Sequence, residues 1–169
     1  HVRSSAHNRK GTLIVSETPS MERIVVSGVA LKEELARITL KNVADTPGIA
    51  AKVFHTIARD QIVVDDIIQT LNDDRTATIS FTVDLVDLHD TRQVMDHLAR
   101  KAGCEVIFED HLAKVSAVGV GMRAHTGVAE RMFRTLADAG INIQNIATSE
   151  IKISCLIDRT DGPEAMRLV

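Results

Sequence analysis

The residues with the clearest chemistry lie in one loop that runs into a helix-patterned stretch, Asp45-Thr46-Pro47-Gly48-Ile49-Ala50-Ala51-Lys52-Val53-Phe54. Ala50, Val53, Phe54 and Ile57 recur at i, i+3, i+4 and i+7, one face of a helix. Pro47 suits the first helical position, where its missing N–H costs nothing, and Thr46 or Asp45 suits the N-cap. A helix start offers free N–H groups and about half a positive charge, so it can hold a carboxylate or phosphate. Gly48 lets a ligand approach the backbone closely. For a single loop of this kind, helix capping alone is the simpler account.

The loop has an echo, His125-Thr126-Gly127-Val128-Ala129-Glu130-Arg131-Met132-Phe133. Gly127 follows Gly48 by 79 positions, and at that shift Ala50 meets Ala129, Val53 meets Met132, Phe54 meets Phe133 and Ile57 meets Leu136. Beyond the helix Ile62 meets Ile141, Val64 meets Ile143 and Ile67 meets Ile146. So ordered an agreement marks an internal repeat. Both copies keep a glycine at the same point, which favours two equivalent sites for a small anionic ligand, with a free amino acid as the expected class. Neither loop is a phosphate-binding P-loop, because the glycine run and the Lys-Ser/Thr pair are missing.

The elements that must position these loops can be read in order. A strand of mixed pattern spans Ala36 to Val43, and a helix follows to Arg59-Asp60. Ile62 to Leu71 reads as a strand and Asn72-Asp73-Asp74 as a tight turn. Ile79, Phe81, Val83 and Leu85 then alternate with polar residues, as in a half-buried strand. Asp90-Thr91 opens a helix carrying Val94, Met95, Leu98 and Ala102, Gly103 suits its C-cap, and Cys104 to Phe108 closes the unit as a strand. This order, β-α-β-β-α-β, is the ferredoxin-like arrangement.

The second unit has its alternating strand at Ile151, Ile153, Cys155 and Ile157, and a last helix from Asp161-Gly162-Pro163-Glu164. It lacks a fourth strand. The β-rich run Ile24 to Leu31, which Lys32-Glu33-Glu34 breaks with charge, is the strand expected to complete it. The expected fold class is α+β: two ferredoxin-like units, antiparallel sheets with helices on one face. The expected division is 1–22 as the end of a preceding domain and a linker, 32–112 as the first unit, and 23–31 with 113–169 as the second. His1 at the start is expected for a piece cut from a longer chain.

Bulk properties narrow the function classes. The chain has 169 residues, 44% of them apolar and only 2% aromatic, so its core must be aliphatic. A net charge of -3 with mixed signs lacks the basic face that nucleic acid asks for, and stacking platforms for single strands are scarce. No apolar run reaches the length of a membrane span and no signal peptide is visible, so neither membrane nor nucleic acid is an expected partner, and a cytoplasmic location is expected. Cys104 and Cys155 sit in strand-like patterns and read as buried thiols.

Other polar residues are weaker candidates. Gln69 ends the strand after the first helix and Asn142 starts its counterpart; either can hydrogen-bond an amino or hydroxyl group, or simply be exposed. Asp65, Asp66 and Glu150 can pair with a cationic ligand, although solvated surface is the commoner role of lone carboxylates. His55, His89, His97, His111 and His125 show no metal-binding spacing, and no catalytic set of nucleophile, base and orienting group assembles.

These stretches carry a resemblance. Asp45 to Phe54 with Val64-Asp65-Asp66-Ile67-Ile68-Gln69 resembles the first ACT domain of aspartate kinase (aspartokinase). Lys114-Val115-Ser116-Ala117-Val118-Gly119-Val120-Gly121-Met122 with Gly127-Val128-Ala129 resembles the second, and Asn142-Ile143 through Ser154 is the most specific piece. Val2-Arg3-Ser4-Ser5 is similar to the end of the kinase domain.

The resemblance implies a regulatory region that binds threonine, lysine or both between ACT units of two chains and feedback-inhibits phosphorylation of L-aspartate by ATP. Carried over by position, the effector contacts are Asp45, Gly48, Ile49, Ala50, Gln69, Asn142 and Ile143, and the lysine contacts are Met122, Val128, Ser149 and Glu150. Implied partners are a second copy of the chain and the parent's kinase domain. No cofactor or metal is implied within this stretch; ATP and magnesium belong to the kinase domain. Two other readings stay open: a structural dimerisation module or ACT regulator with no aspartate-family effector, and a ferredoxin-like enzyme.

Overall fold

The computed structural model describes residues 26–120 and 127–169. Six strands form one antiparallel sheet: β1 (Gly28–Ala44), β2 (Asp65–Leu71), β3 (Thr76–Asp84), β4 (Glu105–Val118), β5 (Asn145–Thr148) and β6 (Lys152–Asp158). Among these residues three helices connect strands, α1 (Ile49–Arg59), α2 (Leu88–Ala102) and α3 (Val128–Asp138), and α4 (Gly162–Leu168) follows β6. The strand order is β2-β3-β1-β4-β6-β5.

Two four-stranded ferredoxin-like sheets are legible in that order, and they share β1 and β4. The second half of β1 pairs with β3, while its first half pairs Gly28 with Val118 and Lys32 with Lys114 on β4. The first half of β1 is thus the edge-completing strand of the second unit. Lys32-Glu33-Glu34, expected to break the chain between two strands, lies inside one continuous strand. The register slips between Lys32 and Leu35, and Glu34 takes up the slip with φ 59. A bulge suffices there because β4 runs alongside both halves and keeps the ladder paired. The strand expected from Cys104 to Phe108 starts at Glu105 and is only the first part of a longer β4, and β2 starts at Asp65 rather than Ile62.

Each unit has its own aliphatic core. Ile38, Leu40 and Val43 of β1 and Ile79, Phe81 and Val83 of β3 pack with Val53 and Ile57 of α1 and Met95 and Leu98 of α2. Ala113, Val115 and Ala117 of β4 and Ile153, Cys155 and Ile157 of β6 pack with Met132 and Leu136 of α3 and Ala165 of α4. Alternation along each strand sends the other side chains to the face without helices. That face is partly closed, by a small apolar cluster of Leu35, Leu112 and Leu156 and by buried polar groups: Thr82, Lys114, Ser116 and Ser154 are buried, and the Ser116 and Ser154 hydroxyls lie 2.8 Å apart.

Candidate functional site

The two loop-to-helix turns are built alike. α1 and α3 are both eleven residues long and start exactly one repeat apart. Their N-caps are Gly48, with φ 91 and ψ -3, and Gly127, with φ 95 and ψ -7. The expected N-cap at Thr46 or Asp45 is therefore displaced. A left-handed Gly48 cannot be part of the helix, so α1 begins at Ile49, and Pro47 stays in the turn. Only glycine adopts this conformation without strain, which explains its return at both positions.

Among the described residues, neither cap has a side chain bonded to the first-turn N–H groups. At α1 the Ile49 N–H donates to the Thr46 carbonyl at 3.1 Å, which leaves Ala50 and Ala51 as the first-turn N–H groups without a side-chain cap. The two helix starts differ in charge. The first turn of α1 carries no acidic residue, whereas that of α3 carries Glu130, which is engaged by Arg134. An anion meets less repulsion at α1.

Neighbouring turns complete each site. The Asp45 N–H donates to the Arg75 carbonyl at 3.2 Å, tying the first loop to the β2–β3 turn. In the second unit the Gly119 N–H donates to the Ile151 carbonyl at 2.9 Å, tying the end of β4 to the β5–β6 turn. Asp45, Gly48, Ile49 and Ala50 therefore gather at one end of the first unit. Gln69 stands on the edge strand β2, opposite Ile79, on the helix-facing side. Ser149 and Glu150 lie in the β5–β6 turn of the second unit, and Val128 packs on the core beneath it. Met122 lies outside the described residues.

Asn142 was expected in a strand. It lies in the coil between α3 and β5, exposed, with Ile143 beside it packed on the second core. Ile49 packs on the first core. One chain thus holds the two halves of the implied effector set in separate units.

Asp65 and Asp66 pair with a cation of this chain rather than of a ligand; the Asp66 side chain is buried, whereas that of Asp65 stays half exposed. Lys114 Nζ donates to Asp65 at 2.5 Å and to Asp66 at 2.9 Å. Burial alone would push Lys114 down, but the two carboxylate bonds outweigh it and hold Lys114 above the ordinary lysine value. The same hydrogen bond from Lys114 holds Asp65 below its ordinary value. Arg37 makes a matching network: its Nε and Nη2 donate to the Glu109 carboxylate, both at 2.7 Å, and Nη2 also donates to the Gln144 side-chain oxygen at 3.0 Å.

Sequence reading passed over Arg37, Lys114 and Gln144. A signal was present: Ala36-Arg37-Ile38 and Ala113-Lys114-Val115 place one base between two core residues of the first strand in each unit.

Comparison with known proteins follows this geometry. Models of the ACT domain match residues 37–103 and 115–169. A crystal structure of aspartokinase alpha and beta subunits superposes with a TM-score of 0.77 at 44% identity, covering 85% of this chain and 95% of that one. The chain belongs to the aspartokinase family, as a regulatory region of two ACT domains. The ligand-free regulatory subunit of aspartate kinase from Thermus thermophilus aligns with a TM-score of 0.79 at 38% identity, over 85% of this chain and 95% of that chain. The aspartate kinase Ask_LysC of Stutzerimonas stutzeri is 45% identical over 150 residues, 88% of this chain but 36% of that protein. The chain thus spans about a third of the length of such full aspartokinases. Among the described residues of this aspartokinase region, no helix is long and apolar enough to cross a membrane.

Proposed function

We propose that this aspartokinase region binds threonine, lysine or both at its ACT domains and feeds that occupancy back onto the kinase of its parent protein. The observation that carries the reading is the pair of glycine-capped helix starts, one per ACT domain, with first-turn N–H groups free of capping side chains. A carboxylate of an amino acid fits such an end. Asp45 supplies a partner for its ammonium group, and Gln69 and Asn142 supply hydrogen bonds for a side-chain hydroxyl. Val128, Ser149 and Glu150, with Met122, form the second, lysine-binding set.

The first set is divided between units, so the pocket is a joint one between two chains. β2 and β5 are the open edges of the sheet. Ile67 and Leu71 on β2 are 53% and 64% exposed, and Ile146 on β5 is 45% exposed. A two-fold homodimer that sets the first ACT domain of each chain beside the second of its partner covers both edges and forms the joint pocket twice. An effector bound there favours the arrangement that contains the interface. If that arrangement misplaces the kinase domain, phosphotransfer from ATP to aspartate, with magnesium in that domain, is inhibited.

Isothermal titration of the chain with threonine and lysine, separately and together, tests the reading. Saturable heat with at least one of them is expected. Absence of heat with every aspartate-family amino acid would overturn it in favour of a structural dimerisation module, whose size and melting temperature ignore amino acids.

A further inference from the structure

The contacts made by Lys114 and Arg37 cross between the two ACT domains. Lys114 sits on β4, in the central strand of the second domain, and its carboxylate partners open β2 of the first. Arg37 sits on β1, in the central strand of the first domain, and its partner Gln144 lies just before β5 of the second. The repeat relates the two contacts: Gln144 follows Asp65 by the same 79 positions that separate the glycine caps, while Lys114 follows Arg37 by 77, each base lying between two helix-facing core residues of its strand.

Each contact also spans three steps of the strand order, β4 to β2 and β1 to β5. In a flat sheet three steps are about 14 Å, which no lysine or arginine reaches with a short hydrogen bond. The sheet is therefore bent over its helix-free face until each edge meets the basic residue of the other domain. This bend buries Lys114 and Asp66, whose side chains are both only 7% exposed. Desolvation offsets much of the attraction in a buried pair of this kind, but removal of one partner leaves the other charge buried and unpaired.

What Lys114 grips is a bulge. Asp65 pairs with Thr82 and Ile68 with Ser80, so Asp66 and Ile67 together face Phe81 alone. Asp66 has φ 46, a left-handed conformation that aspartate tolerates better than most residues. The extra residue decides the side of every residue after it. Gln69 pairs with Ile79 on the helix-facing side only because the bulge is present; removal of the bulge would turn Gln69 to the opposite face. In the other domain Arg37 holds Gln144, two residues after Asn142.

We propose that Lys114 and Arg37 are crossed positioning residues: each, from one ACT domain, sets the effector-contacting segment of the other. Lys114 locks the β2 bulge and so the facing of Gln69. Arg37 holds the coil that carries Asn142 and Ile143. The effector part rests on the proposed amino-acid site, whereas the structural part stands without it. Occupancy of one domain's segment is thereby felt at the base of the other domain.

Lys114→Met keeps the length and apolar stem and removes the charge. Amide hydrogen exchange on the 169-residue chain is the first readout. In Lys114→Met the amides of Ile67 to Leu71 are expected to exchange at least tenfold faster, with β6 amides changed less than twofold. A folded variant with β2 protection unchanged overturns the proposal. Asp66→Asn, which keeps shape and drops the charge, is the second variant, should Lys114→Met not fold; it is expected to act in the same direction, and unchanged β2 exchange in it also overturns the proposal.

Titration is the second readout. Both variants are expected to weaken threonine binding about tenfold or more, and Arg37→Met to do the same through the Asn142 segment. Faster β2 exchange with unaltered binding overturns the coupling. A wild-type chain that binds no amino acid defeats the effector reading alone, and the exchange experiment still decides the structural one.

Discussion

Gly48 and Gly127, one repeat apart, hold the same left-handed backbone, with φ 91 and φ 95, and each is the last residue before an eleven-residue helix. Among the described residues, a Cβ at either position would meet nothing within 4 Å. Conformation, and not space, therefore demands glycine. Gly48→Ala and Gly127→Ala are each expected to lower stability by about 1–2 kcal/mol, the cost of a left-handed alanine. Urea unfolding measures it, and a midpoint equal to wild type would show that the turn relaxes without strain.

Arg37 grips Glu109 with two bonds in a partly buried setting, and the hydrogen bond from Arg37 holds Glu109 below its ordinary value. Arg37→Ala is expected to cost about 1.5–3 kcal/mol, the range for hydrogen bonds to charged groups. Arg37→Lys cannot reproduce the fork and should lose a large part of the same amount. Exposed Lys32–Asp84 offers the comparison: both side chains are about half exposed, and Lys32→Ala is expected to change the urea midpoint little.

The first core depends on one aromatic. Phe81 is fully buried and meets Phe54 edge-to-face, with ring centroids 5.6 Å apart. Phe81→Ala is expected to cost about 3–5 kcal/mol through lost contacts and a cavity. Phe54→Leu keeps most of the volume and should cost about 0.5–1.5 kcal/mol for the aromatic pair. Thermal denaturation of the two variants ranks them, and equal midpoints would contradict the packing described.

Stability is expected to fall at both extremes of pH. On the acid side Asp65 and Glu109 have folded values below their ordinary 3.8 and 4.5, owing chiefly to hydrogen bonds from Lys114 and Arg37. Their contribution is present above those ordinary values and is lost as pH falls through the lower folded ones. On the alkaline side burial pushes the Cys155 thiol from 9.0 up to about 11, and Lys114 is held above 10.5. Raised folded values mean that stability is complete below the ordinary values and declines as pH rises through the folded ones. Cys155 alone gives a slope of up to about 1.4 kcal/mol per pH unit across this alkaline range. Melting temperatures of wild type and Cys155→Ala between pH 8 and about 11 should diverge in slope, and parallel curves would rule Cys155 out as the titrating group.

Much of the architecture is local and therefore legible in the chain. The period of Val53, Ile57, Met132 and Leu136, the alternation through Ile79, Phe81 and Val83, and the glycine at 103 depend on neighbours along the sequence. The helix start at Gly48 was misplaced by only a few residues, because a side-chain cap and a left-handed glycine cap leave similar traces. The charged run Lys32-Glu33-Glu34 misled for a different reason: whether charge ends a strand or bulges it depends on the partner strand, which lies some eighty residues away in β4.

By itself, the sequence determined that the chain is a repeat of two ferredoxin-like units with a glycine at the loop before the first helix of each, since hydrophobic periodicity and turn chemistry are properties of short segments. The resemblance to ACT domains came from particular stretches, and the glycine caps themselves came from the structure. Only the tertiary structure decided that the two domains share β1 and β4 in a single bent sheet. It also decided that Asp65 and Asp66 both bond to Lys114. Such pairings join residues distant in sequence, and their partners are chosen by the curvature of the whole sheet. No spacing along the chain encodes that curvature directly.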